Sequence, residues 1–172
     1  FGIPYQVTVE NQIHHQVDDG LLGLVTFADL HSYVAFCEPK IASPGCIPST
    51  TASGFCTATP GPPFDILGNQ IVNNQFGLMF YGLSRTERPF YGGTKCVDHP
   101  LFRTPVVNSG GTPGYPLDCT GTYTFDMNAL IQSGDNPVLV PGITVYAQHW
   151  YRDPGAANAI GVSDAITFVI AP

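Results

Sequence analysis

Charged residues are scarce: Asp, Glu, Lys and Arg make up 11% of the 172 residues, under half of the roughly 25% usual in a soluble domain. The surface must therefore stay soluble through Ser, Thr, Asn, Gln and backbone amides. Positive charge is the scarcer sign, with six Lys and Arg against thirteen Asp and Glu and a formal net charge of −7. A phosphate-rich partner is repelled at long range by such a balance, which excludes nucleic acid as the expected ligand. No apolar run approaches the roughly 20 residues a membrane span needs. The longest candidate, Val138 to Tyr151, is broken by Pro141, Gly142, Gln148 and His149.

Catalytic signatures are missing as well. The chain has no G-x-S-x-G, H-E-x-x-H or phosphate-binding loop. Its three glutamates, Glu10, Glu38 and Glu87, have no distinctive context for a paired-carboxylate hydrolase. The expectation is a protein that is not an enzyme. No C-x-x-C occurs among Cys37, Cys46, Cys56, Cys96 and Cys119, and their spacing suits neither a zinc knuckle nor a haem site. Disulfides in an oxidising compartment are the better reading, which places the protein outside the cell or on its surface. The preferred pair is Cys96 with Cys119, since each sits at a strand edge with a Pro/Gly-rich loop between. Two of Cys37, Cys46 and Cys56 form the second bridge, and one cysteine is left over. The chain begins Phe1-Gly2-Ile3-Pro4 without Met, which reads as a mature end after removal of a leader.

What the chain has in abundance is glycine (19) and proline (16) punctuating short apolar runs, the mark of many tight turns between strands. Alternation or continuous apolar character predicts strands over residues 5–10, 22–28, 32–37, 64–72, 75–83, 94–97, 101–107, 120–126, 143–152 and 165–170. The run 75–83 is nearly all apolar, as a strand buried on both faces should be. About ten short strands predict a single all-β domain, a two-sheet antiparallel sandwich of Greek-key or jelly-roll type with disulfide-stapled loops. Residues 38–63, rich in Cys, Pro and Gly, read as a long stapled loop, and residues 1–13 as an edge strand or one donated to a neighbour.

Several motifs occur in a shared order: Asn74-Gln75-Phe76-Gly77-Leu78-Met79-Phe80-Tyr81-Gly82, Pro89-Phe90-Tyr91-Gly92-Gly93, Lys95-Cys96-Val97, Leu101-Phe102-Arg103, Gln148-His149-Trp150-Tyr151-Arg152-Asp153-Pro154 and Val162-Ser163-Asp164-Ala165-Ile166. From about Cys46 onward they resemble a β-rich module at the C-terminal ends of secreted, mostly uncharacterised proteins of environmental Gram-negative bacteria. The resemblance implies an extracellular setting and a sandwich-like fold, and it transfers no catalytic residue. Such modules often end in Cys-Pro, whereas this chain ends Ala171-Pro172.

Candidate sites follow from residue chemistry. In an extended segment Trp150 and Arg152 share one face while Tyr151 and Asp153 share the other. Trp150 reads as a core anchor with Arg152 bonded to Asp153, Asp164 or a turn carbonyl; the functional alternative is a sugar-stacking platform at Trp150 and Tyr151. Tyr81, Tyr91, Tyr115 and Tyr123 are further candidate stacking rings. His14 and His15 would face opposite sides of a strand, and His31, His99 and His149 are isolated, so no transition-metal site is expected. Asp18, Asp19 and Asp135 lie in acidic turns and are weak calcium ligands, the one cofactor considered. Two functions result. The first is an extracellular structural subunit, a homo-oligomer or polymer that forms a fibre or surface layer by inserting the amphipathic strand of Phe1, Ile3, Tyr5, Val7 and Val9 into a neighbouring copy. The second is a non-catalytic binding module for a glycan or a surface.

Overall fold

A computed structural model describes residues 33–172, and the expectations for Phe1, Ile3, Tyr5, Val7, Val9, His14, His15, Asp18, Asp19 and His31 lie outside them. In chain order the first strands are β1 (Tyr33–Phe36), β2 (Ser49–Ser53), β3 (Asp65–Ile71), β4 (Phe76–Gly82), β5 (Arg85–Phe90) and β6 (Gly93–Val97). Then come β7 (Phe102–Arg103), β8 (Val107–Asn108), β9 (Gly121–Asp126), the helix α1 (Met127–Ser133), β10 (Thr144–Arg152) and β11 (Ile160–Val169). The described part is all-β with antiparallel pairing throughout the named strands and two disulfides. A large sheet runs β1-β11-β10-β4-β7 with β8 also on β4; a three-stranded sheet runs β2-β3-β9; β5 and β6 form a separate hairpin.

The core follows from strand alternation. Met79 and Tyr81 of β4, Val145 and Ala147 of β10, and Ile166 and Phe168 of β11 project from one face of the large sheet. They share one apolar cluster with Ile66 of β3, with Phe64, and with Met127 and Ile131 of α1. Phe64, fully buried, meets Phe168 edge to face at 5.1 Å. Burial of each such side chain is worth about 1.5–3 kcal/mol. A second cluster gathers Ile71, Val72, Tyr123 and Tyr151. Tyr151 passes so close to Gly161 that a Cβ there would meet its ring, and only glycine permits the contact.

Local chemistry explains where the elements depart from expectation. The segment 38–63 is not one loop, because it contains β2. That strand has no apolar alternation to betray it: its fully buried residue is Thr50, held by hydrogen bonds. The run 101–107 splits into β7 and β8. Thr104 takes over the bonding between them, its N–H donating to the Met79 carbonyl while its Oγ1 accepts from the Met79 N–H, and Pro105 has no N–H to continue the ladder. Strand β11 starts at Ile160 instead of 165, through Gly161, Ser163 and Asp164, which carry no strand signal. Helix α1 is an addition that the sequence marks: Asp126 caps its start by accepting from the Ala129 N–H, and Gly134 closes it in the left-handed region at φ 72.

The disulfide pairing also differs. Cys37 bonds Cys96 and Cys46 bonds Cys119, in place of Cys96 with Cys119, and Cys56 is free and buried. Cys96 sits on the β5–β6 hairpin, while Cys119 and Cys46 belong to the second cluster. The chain between Cys96 and Cys119 is drawn away to β4 by β7 and β8.

Candidate functional site

Strands β4 and β10 turn apolar side chains to both faces. On the face away from the core, Leu78 and Trp150 are Cα partners, as are Phe80 and Gln148. The β5–β6 hairpin lies over this face and is tied down at several points. Gln148, fully buried, accepts from the Cys96 N–H at 3.0 Å and donates to the Thr94 and Ser163 carbonyls at 2.9 and 2.7 Å. The Cys37–Cys96 disulfide joins β6 to the end of β1. Lys40 Nζ donates to the Tyr91 carbonyl at 2.9 Å and the Ile160 carbonyl at 2.6 Å, fastening the hairpin turn to the start of β11. The Arg85 guanidinium stands 4.8 Å from the centre of the Phe36 ring.

Between hairpin and sheet opens a cleft of about 500 Å³, within the size range of small-ligand sites. Leu78, Phe80, Phe90, Leu101 and Trp150 form its apolar walls, and Arg88, Lys95, His99 and Arg103 supply its polar groups. Three of the six Lys and Arg residues in an acidic chain thus line one cleft. Arg88 Nη2 lies 3.9 Å from Asp98 Oδ2 with both groups in contact with water. The Asp98 carboxyl is held below the usual carboxylate range, first by the His99 N–H bond and then by the charges of Arg88, Lys95 and His99. Arg88, Lys95 and Arg103 thus gather positive charge at this end of the hairpin, with Asp98 beside Arg88.

Trp150 is half-buried and lines the cleft instead of anchoring the core. Arg152 shares its face, as alternation requires, and its guanidinium sits 5.3 Å from the indole centre instead of bonding an acid. Asp153 instead accepts from the Ser43 N–H and hydroxyl, and Asp164 from the Thr50 N–H. Tyr151 is fully buried, and Tyr81 and Tyr123 nearly so, which removes all three as stacking rings. Tyr91 and Tyr115 are exposed but do not line the cleft. Asp135 is exposed in the turn after α1; among the described residues no three His, Cys, Asp or Glu side chains gather where an ion could be held.

A buried polar network occupies the β-bulge where His149 faces Ser163 and Asp164. Thr50 Oγ1 lies 3.0 Å from His149 Nδ1 and 2.8 Å from Ser163 Oγ, which donates to the Asp164 carbonyl at 2.6 Å. Tyr123 stacks on the imidazole at 5.8 Å. Burial lowers the His149 pKa to about 4 and raises that of Asp164 to about 6. Thr50 and Ser163 are fully buried, so neither hydroxyl can meet a substrate. The network pairs the hydroxyls and backbone groups at the bulge but leaves His149 Nε2 buried without a hydrogen-bond partner.

The cations around the cleft went unremarked in the sequence, although Arg85, Arg88 and Lys95 of the hairpin and Arg103 of β7 all fall within residues 85–103. What the sequence does not show is the clamp that folds them over β4 and β10. Comparison with protein families, with curated proteins and with solved structures finds no match to this chain.

Proposed function

We propose that the protein is a secreted, non-catalytic binding module that seats a glycan in the cleft beneath the β5–β6 hairpin. The observation that carries this reading is Trp150, a half-buried indole set beside Phe80 and Phe90 in an open cleft, since an aromatic face offers apolar sugar C–H groups a stacking surface. Two disulfides support an extracellular setting. Among the described residues no helix is long and apolar enough to cross a membrane. The shared core of the large and three-stranded sheets supports a two-sheet sandwich of Greek-key or jelly-roll type, the scaffold expected for the module of Gram-negative secreted proteins that the chain resembles.

Trp150 is the only tryptophan in the chain, so its fluorescence reports on the cleft directly. Titration with soluble oligosaccharides should shift or quench the emission in a saturable way. A spectrum unchanged by every sugar tested would remove the glycan reading.

Assembly into a fibre is the second reading, carried in sequence by Phe1, Ile3, Tyr5, Val7 and Val9. Strand β9 favours it, because among the described strands it pairs only with β3 and a donated strand adds to such an edge. Electron microscopy of the protein with and without residues 1–13 separates the two: filaments that vanish on deletion support assembly, and dispersed particles in both samples remove it.

A further inference from the structure

We propose that the cleft selects acidic saccharides, taking a uronate-bearing chain whose carboxylates meet Arg88, Lys95 and Arg103 while its ring faces lie on Trp150 and Phe90. This rests on the glycan reading above and adds to it the charge class of the ligand.

The cations of the chain are not used alike. Arg85 is paired with Glu87, Lys40 is spent on backbone carbonyls, and Arg152 lies on the indole. Among the described residues, Lys95 and Arg103 form no ion pair, and Arg88 has only the 3.9 Å contact to Asp98. These three are also the Lys and Arg residues that line the cleft. A protein carrying a net charge of −7 concentrates three of its six Lys and Arg at one place, two of them without an ion pair, against its own overall field. That field is screened beyond about 8 Å at physiological salt, whereas contacts at the cleft lie well inside this distance. Charge-assisted bonds from guanidinium or ammonium to carboxylate are about twice as strong as neutral ones.

The shape of the cleft favours a saccharide over an acyl chain. Phe80 forms a nearly buried floor, but Trp150 and Phe90 are only half-buried, and the Arg88 side chain is 67% exposed. A ligand here keeps one side in water. That suits a polar chain with apolar ring faces, whereas an acyl tail gains its binding energy from near-complete enclosure.

The test uses the full chain and Trp150 emission, with α-1,4-linked trigalacturonate, the neutral galactose trimer of the same linkage, and 2-naphthoate as a non-sugar aromatic carboxylate. Trigalacturonate should bind about tenfold or more tightly than the neutral trimer, with affinity that falls as salt is raised. Arg103→Gln and Lys95→Gln should each weaken the acidic sugar several-fold more than the neutral one. An unaltered emission spectrum of the free variants shows that the cleft is intact. Equal affinity for the two trimers overturns the acidic selectivity and leaves the glycan reading standing. A response to naphthoate with none to either sugar, or no response to any of the three, overturns both.

Discussion

The core-facing side of the large sheet is closed mainly by apolar contact, with one buried hydrogen-bond network from Thr50 of β2 to His149, Ser163 and Asp164, whereas its other side is closed by tethers over a cleft. Met79, Val145, Ala147 and Ile166 meet the three-stranded sheet and α1 through side chains alone. On the far side the cover is the β5–β6 hairpin, held by one disulfide, one buried glutamine and one lysine, with a cleft left beneath it. Close packing leaves little room on the core-facing side, with an opening of only about 80 Å³ beside Met79, Tyr123 and His149. Point attachments hold a lid in place without filling the space under it. On the proposed reading the two faces divide stability from recognition, and substitutions should sort accordingly.

The largest effect belongs to the packed face. Phe64→Ala should cost about 3–5 kcal/mol in denaturant unfolding, because the ring is fully buried against Phe168; a loss below about 1 kcal/mol would mean that this core is not shared. Next comes the principal tether. Replacing Cys37 and Cys96 together by Ser should cost about 2–4 kcal/mol and, unlike Phe64→Ala, should move Trp150 emission to the red in the still-folded protein. An unmoved spectrum would show that Gln148 and Lys40 hold the hairpin without the disulfide.

A pH profile probes the bulge between the faces. His149 has a folded pKa near 4, below its ordinary 6.5, so its neutral form favours the folded state. The stability it contributes is complete above pH 6.5 and is lost as pH falls toward 4, by at most about 3 kcal/mol. Asp164 has a folded pKa near 6, above its ordinary 3.8, and its protonated form favours the folded state. Its contribution therefore grows as pH falls from 6 to 4 and opposes that of His149. The two contributions oppose each other below about pH 6, so the wild-type protein should change stability little there. Asp164→Asn should uncover the His149 loss down to pH 4, and His149→Gln should leave a gain below pH 6; parallel profiles for all three would refute the assignment. The smallest effect on stability belongs to the cleft. Trp150→Ala should cost less than Phe64→Ala, since Trp150 is only partly buried, yet it should abolish ligand binding by calorimetry.

Strand positions were legible wherever one face is apolar and the other polar. Alternation also placed Trp150 with Arg152 and Tyr151 with Asp153. It could not say which pair faces the second sheet, because β10 is apolar on both sides: Val145 and Ala147 on one, Tyr146 and Trp150 on the other. β2 escaped because its buried position is filled by a hydroxyl, and β5 because Arg85-Thr86-Glu87-Arg88 is exposed and charged. Disulfide pairing depends on which loops meet in space, and spacing along the chain does not encode that. Four of the ten cleft residues, Arg88, Pro89, Phe90 and Lys95, come from the hairpin, so the site could be read only once its tethers were in view.

The account is tested most directly by amide chemical shifts of labelled protein as trigalacturonate is added. It predicts changes confined to β4, the β5–β6 hairpin, residues 99–103 and the end of β10 around Trp150. Changes centred on β2, β3 and β9, or scattered over the surface, would contradict the assignment of the cleft as the ligand site.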